Sequence, residues 1–272
     1  MKYSIIIKKT VLTIFKTILI GYILLCVLLY FFQEKLIFFP EQLQSNYRFI
    51  FNQNFHELNI KTADGVLLNS VLFKADSSKG VIFYLHGNGG SIRSWGEIAR
   101  AYTDMHYDLF MLDYRGYGKS GGAITSEKQI FADVQTTYNT LKTIYKEDEI
   151  IILGYSIGTG PATKLASGNR AKRLILQAPY YSLTDMMKRK YSIIPRFLLK
   201  YKFETDRYIK ECRMPVTIFH GDNDEVIDYS SSLKLKALFK PSDTLITLKG
   251  QGHNGMSDNP EYLAELKRLL IK

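Results

Sequence analysis

Acidic residues are in short supply in this chain. Its 272 residues carry 36 Lys and Arg against 26 Asp and Glu, a formal net charge of +10. The basic residues are scattered, with no zinc-ligand spacing and no aromatic RNA-binding signature, so the excess does not indicate nucleic acid. An anionic lipid surface is the better-matched partner. Cysteine is scarce too: Cys26 and Cys212 are the only two, too few for a disulfide framework. Repeats and low-complexity tracts are absent, which excludes a solenoid. Disorder is excluded in turn by a hydrophobic content of 46% and an aromatic content of 13%.

Long apolar stretches are likewise few, and one stands out. Residues 11–32 are almost wholly apolar, with Lys16 the single charge. Residues 17–32 alone would reach about 24 Å as a helix at ~1.5 Å per residue, and the turn below, with Lys16 snorkelling, extends this to roughly the 30 Å of a hydrocarbon core. No small-residue cleavage site follows before Gln33-Glu34-Lys35, so the stretch reads as an uncleaved transmembrane anchor. Lys2, Lys8, Lys9 and Lys16 precede it, while Lys35 and Arg48 beyond it are offset by Glu34 and Glu41. The positive-inside rule then places residues 1–10 as a cytosolic tail and the remainder on the extracytoplasmic side. Residues 33–54 read as a juxtamembrane linker, and the domain itself is expected over 55–272, separable near Asn46.

That domain alternates strands and helices. Residues 55–61 and 66–74 form strand-like runs around Asp64-Gly65, a hairpin signal. Buried-strand patterns at 80–85, 108–112, 150–153, 172–177, 215–220 and 244–248 are interleaved with helical stretches at about 91–102, 126–145, 159–166, 229–239 and 259–271. The pattern predicts an α/β fold with a mostly parallel sheet covered on both faces. Residues 181–213 interrupt the rhythm. Between Asp185 and Arg213 they hold nine basic and four acidic side chains with aromatics interleaved, and predict a short helical cap near the pocket mouth.

The chemistry centres on Gly154-Tyr155-Ser156-Ile157-Gly158, which lies between an apolar strand and a helix. In that context G-x-S-x-G is a strained turn that lifts the serine hydroxyl clear of the sheet. A serine needs a base, and the base needs an orienting acid. His253, in the loop after the last strand, leaves the same sheet edge as Ser156 and is the candidate base. His86 and His220 sit at strand ends, where packing or hydrogen bonding is the usual role. For the acid, the loop after the penultimate strand offers both Asp222 and Asp224, with Asp222 placed for an ordinary turn bond to its own backbone. Ile157 N–H and Asn88 N–H, the latter in His86-Gly87-Asn88-Gly89-Gly90, are the candidate oxyanion-hole donors.

Taken in order, His86–Gly90, Asp113-Tyr114-Arg115-Gly116-Tyr117-Gly118-Lys119-Ser120, the Ser156 pentapeptide, His220-Gly221-x-x-Asp224-x-x-Ile227 and Gly252-His253 resemble the α/β-hydrolase superfamily. The likeness is to membrane-anchored serine hydrolases with one N-terminal span and a small cap. It implies an eight-stranded α/β-hydrolase sheet, Asp224 as the acid, and a structural rather than catalytic role for the Asp113–Ser120 loop. It implies no metal and no organic cofactor. The expected substrate is a carboxylic ester or thioester, with a peptide bond as the rival within the fold and a non-catalytic acyl-binding protein as the rival outside it.

Overall fold

The structure, a computed structural model, describes residues 2–271. It opens with helix α1 (Lys2–Ile37). The hairpin β1 (Phe55–Lys61) and β2 (Leu67–Phe73) follows, then β3 (Val81–Leu85), the short helices α2 (Ile92–Trp95) and α3 (Ala99–Thr103), and β4 (Asp108–Leu112). Helix α4 (Glu127–Leu141) leads to β5 (Ile150–Tyr155), α5 (Thr159–Ser167) and β6 (Arg173–Gln177). The cap holds α6 (Leu183–Lys190) and α7 (Thr205–Tyr208). The chain then finishes with β7 (Val216–Gly221), α8 (Ser230–Lys236), β8 (Thr244–Leu248) and α9 (Pro260–Ile271).

One eight-stranded sheet results, ordered β1-β2-β4-β3-β5-β6-β7-β8. Strand β2 runs antiparallel to β1 and β4, and all pairs from β4 to β8 are parallel. Period-two alternation explains its two faces. Val81, Phe83 and Leu85 of β3 join Ile150 and Ile152 of β5 in one apolar layer with α4 and α5. Ile82, Tyr84, Ile151 and Leu153 point the other way, into a layer closed by α9 and the residues of α2 and α3. A sheet buried on both sides needs strands that are apolar at every position, which is how β3 and β5 read.

Local signals set several boundaries. Ser126 caps α4 by accepting from Gln129 N–H at 3.2 Å, and Ser182 caps α6 by accepting from Asp185 N–H at 3.0 Å. The expected helix over 91–102 is instead divided, with a 3₁₀ turn at Gly96–Ile98 between α2 and α3. Helix α1 runs on past the expected end of the apolar run, to Ile37, with Pro40 just beyond. At ~1.5 Å per residue its 36 residues extend about 54 Å. Its apolar part, Ile5–Ile37, is long enough to cross a membrane.

The segment after α1 does not hang free. Phe38 is buried in the first apolar layer and Phe49 in the second. Pro40 bridges Gly90 and Gln42 bridges Gly118, with Leu43 N–H donating to Gly118 C=O at 2.8 Å. Residues 38–43 therefore lie against the loops at the C-terminal edge of the sheet, where the candidate site is built.

Candidate active site

Four loops leave the C-terminal edge of the parallel strands, where open α/β sheets place their ligands. Asn88 follows β3, Ser156 follows β5, Asp224 follows β7 and His253 follows β8. The turn at Ser156 is as sharp as the pentapeptide predicts: its φ of 51° lies in the left-handed region, which costs a residue with a Cβ. Two neighbouring glycines make that turn possible. A Cβ on Gly158 would stand 2.2 Å from Leu85 C=O, and one on Gly154 would stand 2.6 Å from Gly158 C=O. Strand, turn and helix thus approach at distances that only hydrogen side chains permit.

From this turn the Ser156 hydroxyl meets His253 Nε2 at 3.0 Å, and His253 Nδ1 meets Asp224 Oδ2 at 2.7 Å. Asp224 Oδ1 accepts from the N–H groups of Val226 and Ile227 at 2.8 and 2.7 Å. His220 lies on the far side of the same carboxylate. Its Nε2 is 3.2 Å from Asp224 Oδ2 and 2.9 Å from Ile227 C=O, and its Nδ1 is 2.6 Å from Ser232 Oγ. Two acceptors around Nε2 require that nitrogen to carry the proton, leaving Nδ1 to accept from the Ser232 hydroxyl. Burial of Asp224 would by itself raise its carboxyl, but the hydrogen bonds from His220, His253 and Ile227 prevail and hold it well below the usual carboxylate range. The carboxylate therefore stays charged beside His253 and fixes the imidazole with Nδ1 protonated and Nε2 free to accept.

Asp222, the other candidate acid, is exposed and turned away. Its Oδ1 accepts from Gly250 N–H at 2.7 Å, tying one loop to the next and not to its own backbone. His86 is buried, its Nδ1 2.8 Å from Gly87 C=O and its Nε2 3.4 Å from Asp113. Arg115 is held by Asp133, at 2.5 and 2.8 Å, and by Asp64, at 2.7 and 2.8 Å. The Asp113–Ser120 loop is thus occupied internally.

Asn88 and Ile157 both border the space in front of Ser156. Among the described residues the Asn88 N–H has no hydrogen-bond partner. The Asn88 side chain is fully engaged: Oδ1 accepts from Phe39 N–H, Gly89 N–H and Tyr117 O–H, and Nδ2 donates to Ile37 C=O. Tyr180 O–H donates to Ile157 C=O at 3.0 Å and so fixes that peptide. Tyr155 O–H donates to the carbonyl of His253, bracing the histidine loop against the turn that carries the serine.

Above Ser156 opens a cavity of about 670 Å³, within the usual range for small-molecule sites. Trp95, Tyr155 and Tyr180 line its floor with Ser156 and His253, and the cap contributes Leu183, Met186, Met187, Ile194 and Leu198. Among the described residues, Lys190 is the one Lys, Arg, Asp or Glu in its lining. Sequence reasoning did not foresee the remaining wall. Leu29, Gln33, Leu36 and Ile37 of α1 line the same cavity. The available signal was spacing: Tyr22, Cys26, Leu29, Gln33 and Ile37 fall at helical intervals on one face of an otherwise apolar helix. The supporting roles of Tyr155 and Tyr180 had no local sequence signal, whereas His220, at a strand end, has the hydrogen-bonding role expected of it.

Comparison with known proteins agrees with this architecture. Residues 76–206 match the family model described as serine aminopeptidase, S33. Alpha/beta hydrolase domain-containing protein 17B of Xenopus laevis is 31% identical over 202 residues, covering 72% of this chain and 68% of the relative. The human 17B protein is 30% identical over 200 residues, covering 71% and 67% respectively. Among solved structures, the Pyrococcus furiosus esterase PF2001 superposes with a TM-score of 0.68 at 19% identity, over 86% of this chain and 97% of that one. At that identity the likeness concerns the fold. On sequence relatives, sheet order and loop placement together, the chain belongs to the α/β-hydrolase superfamily.

Proposed function

We propose that the chain is a membrane-anchored serine hydrolase that cleaves carboxylic esters or thioesters through an acyl-enzyme on Ser156. The observation that carries this reading is the relay of Ser156, His253 and Asp224, spaced at 3.0 and 2.7 Å beneath an apolar cavity. As Ser156 Oγ attacks the acyl carbon, its proton passes to His253 Nε2. Asp224 remains ionised and stabilises the imidazolium. The developing oxyanion falls to the N–H groups of Ile157 and Asn88. His253 then gives its proton to the leaving alkoxide or thiolate, and a water activated by the same nitrogen releases the acid. Residues 11–32 act as the anchor, residues 1–10 as a cytosolic tail, residues 33–54 join it to the catalytic domain over 55–272, and the cap covers about 181–213.

A peptide substrate is the second reading, suggested by the aminopeptidase description of the matching family. Capture of a peptide's α-ammonium calls for an acidic group in the cavity. Among the described residues its lining holds no Asp or Glu and one Lys, Lys190, of the wrong sign. The ester reading is therefore preferred. Treatment with a fluorophosphonate should label the intact protein and not Ser156→Ala, and long-chain esters and thioesters should turn over faster than aminoacyl amides. Labelling that survives in Ser156→Ala, or amide turnover that exceeds ester turnover, would overturn it.

A further inference from the structure

The N-terminal helix does more than reach the membrane. Its covered face is clamped to the cap at two levels. Tyr22 O–H donates to Ile193 C=O at 2.6 Å. Gln33, which is only 6% exposed, donates to Leu198 C=O at 3.0 Å and accepts from Lys200 N–H at 2.9 Å. Glu34 adds contacts to Lys200 and Tyr201 at 3.1 and 3.0 Å. The eleven helical steps from Tyr22 to Gln33 span about 16 Å at ~1.5 Å each, and Leu29, between the clamps, faces the cavity. This is the apolar part of the helix that an anchor would place in hydrocarbon. Beside it the cap exposes Ile193 and Phe197, at 71% and 82% of their surface. Apolar side chains so placed would be a liability in water and are matched to lipid.

Resting on the hydrolase reading above, we infer that the face of α1 carrying Leu29, Gln33 and Leu36 is a wall of the acyl-binding site. The substrate is a long-chain acyl ester or thioester resident in the bilayer. Its chain reaches Ser156 laterally, along the seam between α1 and the 191–199 edge of the cap. A tether alone would need no inward-facing residues on α1, and a cavity serving soluble esters would need no apolar edge beside the span. Gln33, the first residue past the anchor, supplies the polar bonds that hold the cap backbone against α1.

The test uses the full chain in phosphatidylcholine nanodiscs with p-nitrophenyl esters of four to sixteen carbons. Each methylene that gains a fitted apolar site raises kcat/KM about fourfold. Leu29→Trp fills the seam, and losing room for two methylenes should lower the long-chain to short-chain ratio by about fifteenfold. Leu29→Ala should move the preferred chain length upward. Leu28→Trp, on the exposed face of α1, should leave the profile unchanged. Phe197→Asp should depress turnover of the bilayer-resident long ester more than that of the four-carbon ester. Fluorophosphonate labelling of Ser156 is followed in every variant. If both Leu29 variants keep the parental profile while labelling persists, the wall assignment is wrong and the hydrolase reading stands. If Phe197→Asp affects long and short esters alike, lateral entry is wrong. If the unaltered protein neither labels nor turns over any ester, the hydrolase reading itself fails.

Discussion

Ser156 is held in a conformation that a residue with a side chain adopts at a cost, and that cost can be read directly. Two replacements isolate it. Ser156→Ala and Ser156→Gly both remove the hydroxyl and its bond to His253, so that loss cancels between them. What differs is the backbone at φ 51°. Alanine retains a left-handed penalty of about 1–2 kcal/mol. Glycine relieves it but loses about 0.5–1 kcal/mol through the greater freedom of its unfolded chain. The glycine variant should therefore be the more stable by roughly 0.5–1 kcal/mol, a rise in Tm of about 1–4 °C for a chain of this size. Thermal unfolding of the two full-length proteins in the same detergent reads the difference, and under the proposed mechanism both lack the nucleophile, so no substrate confounds it. An alanine variant as stable as the glycine variant, or more so, would mean that no strain is stored at the turn.

The remaining predictions concern the acid. Asp224→Asn should leave the fold intact and lower kcat by about 10³–10⁴, because His253 loses the partner that fixes its tautomer and offsets its charge. Asp222→Asn, which keeps an oxygen for Gly250 N–H, should change kcat little; a dead Asp222 variant beside an active Asp224 variant would reverse the assignment. Stability in acid follows from the same carboxylate. Its folded-state pKa is depressed, so its contribution is fully present above the ordinary aspartate range near ~4 and is lost as pH falls below that toward the folded value. Acid unfolding of Asp224→Asn should show a weaker pH dependence in that window than the parent, and parallel curves would contradict the depressed value.

The sheet was legible in advance because its signals are local and repeated. Strands β3 and β5 are apolar at every position, which a sheet covered on both faces requires, and the hairpin is marked by Asp64-Gly65. The order of the loops carrying Asn88, Ser156, Asp224 and His253 followed once those strands were placed. Asp222 and Asp224 could not be told apart from their own surroundings, since both sit in one turn and only the three-dimensional path of the loop aims Asp224 at His253. The 91–102 helix broke because its pattern includes Gly96, where a 3₁₀ turn begins. Helix α1 was the larger surprise. An apolar run reports an affinity for lipid and says nothing about which face is covered by protein, so the burial of Gln33 and the position of Leu29 became visible only with the cap in place.

On the proposed anchoring, the two faces of α1 also set the terms for a water-soluble form of this hydrolase. A cut near Asn46 would remove Phe38 from the core, the Ile37 and Phe39 backbone partners of Asn88, and four side chains from the cavity. The domain left behind would lack one side of its own site. A water-soluble version has to retain the helix from about Tyr22 onward and change the other face instead. Leu24, Leu25, Leu28, Phe31 and Phe32 are exposed and do not line the cavity, so polar residues there would cut back the exposed apolar surface of the helix while Tyr22 and Gln33 keep their bonds to the cap and Leu29 its place in the cavity.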